Sequence, residues 1–203
     1  MSTEQGLRER KKAATRRALG EAAIKLAMEH GVAHVTAESI GALADVSPRT
    51  FHNYFSSKEE AIVSVLTDRG QEMVEALRAR PADEPIWDSL LHITVGMADD
   101  DGHMNDEFVA QTTFIHENAA LLMQELGAMK ALGERLAEII AERTRTDAQD
   151  LYPRLQASAV AVCIAAAKEA WIANPSAGQL ADHIRQAFAL MRAGLPQPEH
   201  PAH

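Results

Sequence analysis

The chain has 203 residues, of which 46% are hydrophobic, 4% are aromatic and 24% are charged, and it contains one cysteine, Cys163. The alanine-rich, aromatic-poor composition without strand-like alternation predicts an all-α protein, and the single cysteine excludes an internal disulfide. The length allows one large domain or a small domain joined to a larger one. No N-terminal segment resembles a signal peptide and no apolar run approaches the ~20 residues that span a bilayer, so we expect a cytoplasmic protein without a membrane role.

Charge is distributed unevenly along the chain. The net charge of −9 argues at first against a nucleic-acid partner. Residues 1–58, however, contain nine Lys and Arg against six Asp and Glu, so this part has a net charge of +3 and the remainder −12. A basic head on an acidic body is typical of a protein that binds DNA at one end, although a basic arm alone is as often a solvated tail.

The first predicted helix follows a disordered start at residues 1–6. It runs from about Arg8 to His30, and Gly31 ends it. Its apolar side is formed by Leu19, Ala22, Ala23 and Leu26. We expect this helix to brace the two short helices that come next.

Two short helices with only a tight turn between them are predicted from their own caps. Thr36 can cap the first, which ends near Asp45. Ser47 can cap the second, with Pro48 at the first helical position, where its locked φ suits a helix and its missing N–H costs nothing. The apolar residues of the first helix share one face at the i, i+3, i+4 spacing, and they are Ile40, Leu43 and Ala44.

The second short helix has an outward face suited to DNA. At about 100° per residue, Phe51 and Phe55 lie on one side, which leaves Arg49 and Asn53 on the other. Arg can bind guanine O6 and N7 with two parallel bonds, and Asn can bind adenine N6 and N7 in the same way. The residues that flank them are Thr50 and His52. For an isolated helix a solvated polar face is the ordinary interpretation, but the neighbouring caps favour DNA reading here.

The next helix begins at SSKEE, with Lys58 in its first turn. We predict that it runs to about Arg80, where Pro81 and Pro85 break the chain. Lys58 and the free N–H groups at the start of the first short helix can both hold phosphate. Together they suggest a clamp on the DNA backbone.

The segment from Arg16 to Leu66 resembles the DNA-binding domain of the TetR/AcrR family of bacterial repressors. In that family a helix ending in Gly and a Thr-capped helix precede the pattern V-S-x-G-T-L-Y-x-Y-F-x-S-K-E. The chain has EHG at Glu29–Gly31, then Thr36, then VSPRTFHNYFSSKE at Val46–Glu59. The match is specific because glycine, cap and pattern occur in the same order.

The resemblance implies phosphate contacts from Thr36, Thr50, Tyr54 and Lys58. Two positions depart from the pattern: Arg49 replaces a small Gly and would add a base contact, and His52 replaces a frequent Tyr. The predicted DNA-binding residues are therefore Thr36, Pro48, Arg49, Thr50, His52, Asn53, Tyr54 and Lys58.

The rest of the chain is predicted to be helical. The helices are Ile86–Ala98, Glu107–His116, Ala119–Arg143 with Asn118 as N-cap, Leu151–Ala173, and Ala177–Ala193 with Ser176 as N-cap. The predicted domains are an arm and helix-turn-helix domain at 1–57, a connecting helix at 58–80, an effector-binding and dimerisation domain at 81–195, and a tail at 196–203.

The helix at Leu151–Ala173 contains ASAVAVCIAAAKEA, which has small residues on nearly every side. One buried side would not use them all, so a second face needs a partner. Ordinary core is the alternative interpretation of such a helix. The resemblance implies instead a homodimer through the last two helices.

The resemblance to a ligand-sensing family also implies a pocket for a small apolar effector. Met and aromatic residues at helical spacing are more often plain core, but here they could line such a pocket. The predicted lining residues are Trp87, Leu91, Thr94, Met97, Phe108, Gln111, Phe114, Met123 and Trp171.

Two other classes of function stay open. The acidic loop DDDGHMND at 99–106 could bind a divalent metal, but it lacks the spacing of a calcium-binding loop, and no H-E-x-x-H, nucleophile elbow or phosphate loop occurs elsewhere. We therefore expect no metal, no cofactor and no enzymatic activity. An architectural DNA-binding protein without effector would use the same head. The preferred hypothesis is a homodimeric repressor that binds a palindromic operator and is released by an apolar effector.

Overall fold

The computed structural model describes residues 3–100 and 106–197 of the chain. Nine α-helices and no strands occur in these two ranges, which confirms the predicted all-α class. The helices are α1 Thr3–His30, α2 Ala37–Leu43, α3 Pro48–His52, α4 Lys58–Ala79, α5 Ile86–Asp100, α6 Asp106–Glu117, α7 Ala119–Thr144, α8 Leu151–Ala173 and α9 Leu180–Arg192.

Side-chain caps determine where α2 and α3 begin, as predicted. Thr36 Oγ1 accepts from Ser39 N at 3.2 Å, and Ser39 Oγ accepts from Thr36 N at 3.0 Å in return. Ser47 Oγ accepts from Thr50 N at 3.1 Å, and Pro48 occupies the first helical position. These bonds satisfy N–H groups that the first turn of a helix leaves unpaired.

The start of the last helix differs from the prediction. α9 begins at Leu180, and not at Ala177 with Ser176 as its cap. Ser176 lies in a 3-10 turn, where its hydroxyl donates to Asn174 Oδ1 at 2.7 Å. Gly178 then adopts a φ of 139°, far outside the helical region, so the helix cannot begin before this glycine.

The chain forms two compact units, Met1–Gly70 with Asn105–Met129, and Gln71–Met104 with Lys130–His203. This division does not follow residue order as the predicted domains do, because α6 and the first part of α7 belong to the first unit. The core of the first unit includes Leu19, Ala23, Ile24, Ile40, Phe51, Phe55, Ile62, Ile115 and Leu121. The core of the second includes Val74, Leu77, Leu90, Ile140, Val160 and Phe188.

A polar network holds the connection between α4 and α5 in the second unit. The Arg143 guanidinium donates to Pro81 O and Glu84 O at 2.7 Å each and to Ser89 Oγ at 3.2 Å. The Glu84 carboxylate accepts from Arg80 Nε at 2.8 Å and from the Ser89 hydroxyl. These hydrogen bonds, that from Arg80 first, lower the pKa of Glu84 to about 2. The carboxylate therefore stays charged and bonded over the whole neutral range.

By length and composition alone, α8 is apolar enough to cross a membrane, which the sequence expectation did not include. Only 22% of its most apolar window is buried. One helix that meets the criterion by length and composition is weak evidence for a membrane span.

Candidate nucleic-acid interface and ligand cleft

A close backbone contact joins α2 to the turn before α3. Val46 N donates to Gly41 O at 2.8 Å, and Asp45 adopts a φ of 55°. A Cβ added at Gly41 would lie 2.8 Å from Val46 O and 3.4 Å from the carbonyl carbon of Ser47. Glycine is therefore needed at this position for α2 to approach the turn so closely.

The outward face predicted for α3 is present. Phe51 and Phe55 are 1% and 2% exposed, with ring centroids 5.7 Å apart, and belong to the core of the first unit. Arg49 and His52 lie at the surface. The helix is shorter than predicted, because it ends at His52 and Asn53 is its exposed C-cap residue. Asn53 keeps φ −77° and ψ −17°, so the backbone still follows the helical direction there.

Four more of the predicted DNA-binding residues lie in α3 or directly next to α2 and α3. Thr36 and Pro48 are exposed at the beginnings of α2 and α3. Thr50 is half-buried, and its hydroxyl lies 2.9 Å from that of Ser47. Tyr54 is half-buried and packs against the core of the first unit. Their contacts with DNA remain predictions.

Lys58 has a role inside the first unit that the sequence does not reveal. Its Nζ donates to Val32 O at 2.8 Å and to Val35 O at 3.2 Å, and it lies 3.5 Å from Ala33 O. These carbonyls belong to the 3-10 turn between α1 and α2 and to the residue after it. The ammonium therefore holds this turn against the start of α4, and its phosphate contact stays a prediction.

Arg16 of α1 connects α4 to the segment that follows α3. Its Nε donates to Asp68 Oδ1 and Oδ2 at 3.1 and 2.9 Å, and its Nη1 donates to Tyr54 O at 2.7 Å. The guanidinium also lies 4.2 Å from the centroid of the Phe55 ring and 3.7 Å from Glu60 Oε1. One rigid, planar group thus fixes three parts of the first unit. In the sequence alone, Arg16 is only one of several positive charges, because its partners lie 38 and 52 residues away.

Five of the nine predicted effector residues lie in the second unit. Trp87 packs on Phe188 with ring centroids 4.8 Å apart. Thr94 is only 5% exposed and donates to Leu90 O at 2.7 Å. The other three are partly buried against the same core, and they are Leu91, Met97 and Trp171.

The remaining predicted effector residues lie in the first unit. Phe114 is partly buried against the core, and Gln111 donates to Glu107 Oε1 at 3.3 Å. Met123 is 68% exposed. The side chain of Phe108 lies outside the described residues. Neither unit by itself therefore contains the whole predicted set.

A cleft of about 550 Å³ opens in the second unit where the start of α5 meets α8 and the end of α9. Within the described parts of the chain, Trp87 Nε1 and Gln156 Oε1 are buried and have no hydrogen-bond partner. A donor and an acceptor beside apolar walls suit a ligand that carries a polar group. Residues that line the cleft include Trp87, Tyr152, Leu155, Gln156, Val162 and Met191. Of these the sequence predicts only Trp87, since the others belong to helices assigned to packing.

The acidic loop at 99–106 lies largely outside the described residues, and so do the side chains of its aspartates. In the described ranges, no group of three or more His, Cys, Asp or Glu is placed to hold a metal ion.

α8 has a buried side and an exposed apolar side. The buried side consists of Pro153, Ala157, Val160, Cys163 and Ala167. The exposed large apolar residues of α8 are Leu151, Tyr152, Leu155, Val162 and Ile172, and α9 also exposes Leu190. Leu151, Leu155 and Val162 share one side of α8 by their helical spacing, and an exposed apolar side of this kind is typical of an interaction site.

Two family models match parts of this chain, and one known regulator is similar to it in sequence. Residues 19–64 match the model described as "Bacterial regulatory proteins, tetR family", and residues 84–196 match "MftR C-terminal domain". HTH-type transcriptional regulator TcmR of Streptomyces glaucescens is 31% identical over 154 residues, which cover 71% of this chain and 67% of that protein.

Several solved structures share the fold at lower identity. Thermus thermophilus FadR, in complex with lauroyl-CoA, has a TM-score of 0.55 at 23% identity, over 93% of this chain and 98% of that one. SmeT, the repressor of a Stenotrophomonas maltophilia multidrug efflux pump, has a TM-score of 0.56 at 17% identity, over 90% and 96%. The SmeT–triclosan complex has a TM-score of 0.54 at 18% identity, over 93% and 100%. At these identities the likeness shows the fold alone.

Proposed function

The chain belongs to the TetR family of bacterial transcriptional regulators, and we propose that it is a repressor that binds a palindromic operator as a homodimer and is released by a small, largely apolar effector. The proposal rests on the arrangement of α2 and α3. Their N-caps and the close contact at Gly41 fix the two helices, and Arg49 and Asn53 are exposed on α3 and at its end. These two side-chain types read guanine and adenine through paired hydrogen bonds. The proposed phosphate contacts are those of Thr36, Thr50, Tyr54 and Lys58, and Pro48 and His52 are proposed as further DNA-binding residues.

We propose that the dimer forms through α8 and α9. Their exposed apolar side chains have no cover in a single chain, and a two-fold axis would bury the same surface of both copies. A dimer would place two copies of α3 in successive major grooves, ~34–36 Å apart, which is why we propose a palindromic operator. The same surface accounts for the apolar composition of α8 without a membrane, and we place the protein in the cytoplasm with its DNA.

The dimer proposal predicts that Leu155→Glu gives a monomer at micromolar concentration. Leu155 is 61% exposed in the single chain, and burying an unpaired carboxylate at an interface is strongly unfavourable. Leu126→Glu is the matched control, because this leucine is 51% exposed on α7 in the first unit. Light scattering of the purified proteins measures the mass. A wild-type monomer at the same concentration would exclude the dimer.

Support for an apolar effector comes from the ligands named for two similar folds, which are triclosan for SmeT and lauroyl-CoA, a charged molecule with an apolar acyl chain, for FadR. We propose that the effector of this chain contacts the second unit around Trp87, with Leu91, Thr94, Met97 and Trp171 as further contacts. An effector lowers operator affinity only by binding the DNA-free state more tightly, so a 100-fold loss needs roughly 2.7 kcal/mol of coupling. Operator DNA must weaken effector binding by the same factor.

The test of this function is operator release, titrated with lauroyl-CoA and with triclosan. We expect Trp87→Phe, which keeps an aromatic ring at the Phe188 contact, to need several-fold more ligand than the wild type. Phe114→Leu in the first unit tests the part of the predicted set that lies there. Equal potency with all three proteins would place the ligand site elsewhere. Specific operator binding without release or thermal stabilisation by any apolar compound would favour an architectural protein that has no effector.

A further inference from the structure

The N-terminal half of α1 extends beyond the packed part of the first unit. α1 begins at Thr3, but the first buried side chain along the described part of this helix is Leu19. The side chains at 10–14, 17 and 18 are exposed, and those at 15 and 16 are half-buried. About 24 Å of helix therefore precedes the core, at 1.5 Å per residue.

This half of the helix carries a row of cations on one side. Arg8, Lys12 and Arg16 follow one another in steps of four residues, so they share a face, and Lys11 lies next to them. No side chain in the described ranges forms an ion pair or hydrogen bond with the side chains of Arg8, Lys11 or Lys12. Further along, the same face becomes the buried one at Leu19. The packing side of α1 is thus replaced by a cationic stripe where the core ends.

The stripe begins beside the segment that follows α3. Arg16, its last member, donates to Tyr54 O, and Tyr54 comes directly after Asn53. Along the helix axis, Lys12 and Arg8 lie about 6 and 12 Å beyond Arg16. The cations therefore continue outward from the proposed DNA-reading surface, within the same unit.

We propose that the exposed half of α1 is a second DNA-contacting surface, on which Arg8, Lys11 and Lys12 bind phosphates of the duplex flanking each half-site. We identify the partner from the charge of this region. Residues 1–58 have a net charge of +3 in a chain of net charge −9, and a local excess of positive charge attracts a polyanion such as DNA. These contacts carry no sequence information, and they fix the position of the head on the duplex. The inference rests on the proposed operator binding.

The experiment compares two triple variants of the full chain with the same change in net charge. The first is Arg8→Gln, Lys11→Gln and Lys12→Gln. The control is Lys25→Gln, Arg78→Gln and Lys130→Gln, which lie outside the stripe and outside the proposed dimer surface. Glutamine is a good helix former, and thermal unfolding checks that both variants remain folded. Operator affinity is measured at several salt concentrations, on a duplex with flanks and on one trimmed to the half-sites.

We expect the first variant to reduce the slope of log K against log salt by about 0.9 for each phosphate that the protein no longer neutralises. If a dimer neutralises six fewer phosphates, the fall in affinity between roughly 50 and 200 mM salt would shrink by up to ~10³-fold. The effect should disappear on the trimmed duplex, base preference should not change, and Lys11→Arg with Lys12→Arg should retain wild-type affinity.

If the slope of log K against log salt on the flanked duplex is equal for the first variant, the control and the wild type, the inference is wrong. The exposed half of α1 is then only a solvated helix. A wild-type protein that binds no duplex specifically would remove the proposed function, and this inference with it. The two failures are therefore distinguishable.

Discussion

Replacing Arg16 by alanine is expected to weaken operator binding by about 30-fold without altering base preference at any position. Net contributions of hydrogen bonds to charged groups are ~1.5–3 kcal/mol each, and the partial exposure of this group reduces its total effect to about 2 kcal/mol. Without the guanidinium, Tyr54 O has no donor from α1 and Asp68 has neither bond from Nε. The segment after α3 must then be ordered by DNA itself, which lowers affinity for every sequence alike.

The Asp68→Asn variant distinguishes two roles of Arg16, which either positions the segment after α3 or binds DNA directly. It keeps the positive charge of Arg16 but weakens its anchor on α4. A positioning role predicts weaker binding in Asp68→Asn and Arg16→Lys, with little change in salt dependence. If only Arg16→Ala weakens binding, and its salt slope corresponds to one phosphate fewer, then Arg16 binds DNA directly and the positioning role is wrong.

Arg78→Ala is the control for the removal of an arginine ion pair as such. Arg78 pairs with Glu75 at 3.4 Å, and both side chains are exposed. Exposed pairs contribute little, so neither affinity nor unfolding temperature should change measurably. A comparable weakening of operator binding in this variant would show that the effect of Arg16→Ala is not specific.

The features that could be predicted from the sequence depend on neighbouring residues. The cap at Thr36, the cap and proline at Ser47 and Pro48, and the glycine that ends α1 each act within a few residues, so their chemistry is readable locally. Where two local signals competed, the prediction failed. Ser176 is a good cap residue, but the backbone of Gly178 delays the helix, and no rule of spacing ranks one above the other.

The features that could not be predicted depend on residues far apart in the chain. Lys58 Nζ and its three carbonyl acceptors are separated by 23 to 26 residues, and Arg16 and Asp68 by 52. Periodicity places such a residue on a face but does not identify its partner. The cleft near Trp87 was missed for a related reason, since Tyr152 and Gln156 lie on a helix whose alanine content indicates packing.

α4 combines these two long-range anchors in one element. Lys58 in its first turn holds the turn before α2, and Asp68 in its middle holds Arg16 and hence the carbonyl of Tyr54. Residues 58–70 of α4 belong to the first unit and 71–79 to the second. Like α7, α4 runs through both units, and we infer that it is the connection by which the proposed effector in the second unit would alter the DNA-reading segment, because it carries both anchors. In Asp68→Asn, effector-induced release should then be weaker than in the wild type.

The second large effect is expected for Arg49→Ala, which should cost ~1–3 kcal/mol of operator affinity, or about 5- to 150-fold, and erase preference at one base pair of each half-site. Arg49 is exposed beside the capped start of α3, and its removal leaves Phe51 and the core untouched. Selection from randomised duplexes measures the preference, and two-fold symmetry requires the change to appear at two related positions.

Asn53→Ala should act at a different base pair, because Asn53 lies one turn further along. Lys58→Ala is the contrasting variant: it removes a charge and the support of the turn before α2, so binding should weaken for all sequences without a new preference. If the selected sequences from Arg49→Ala equal those of the wild type, then Arg49 does not read a base, and the departure from the family's usual glycine has another cause.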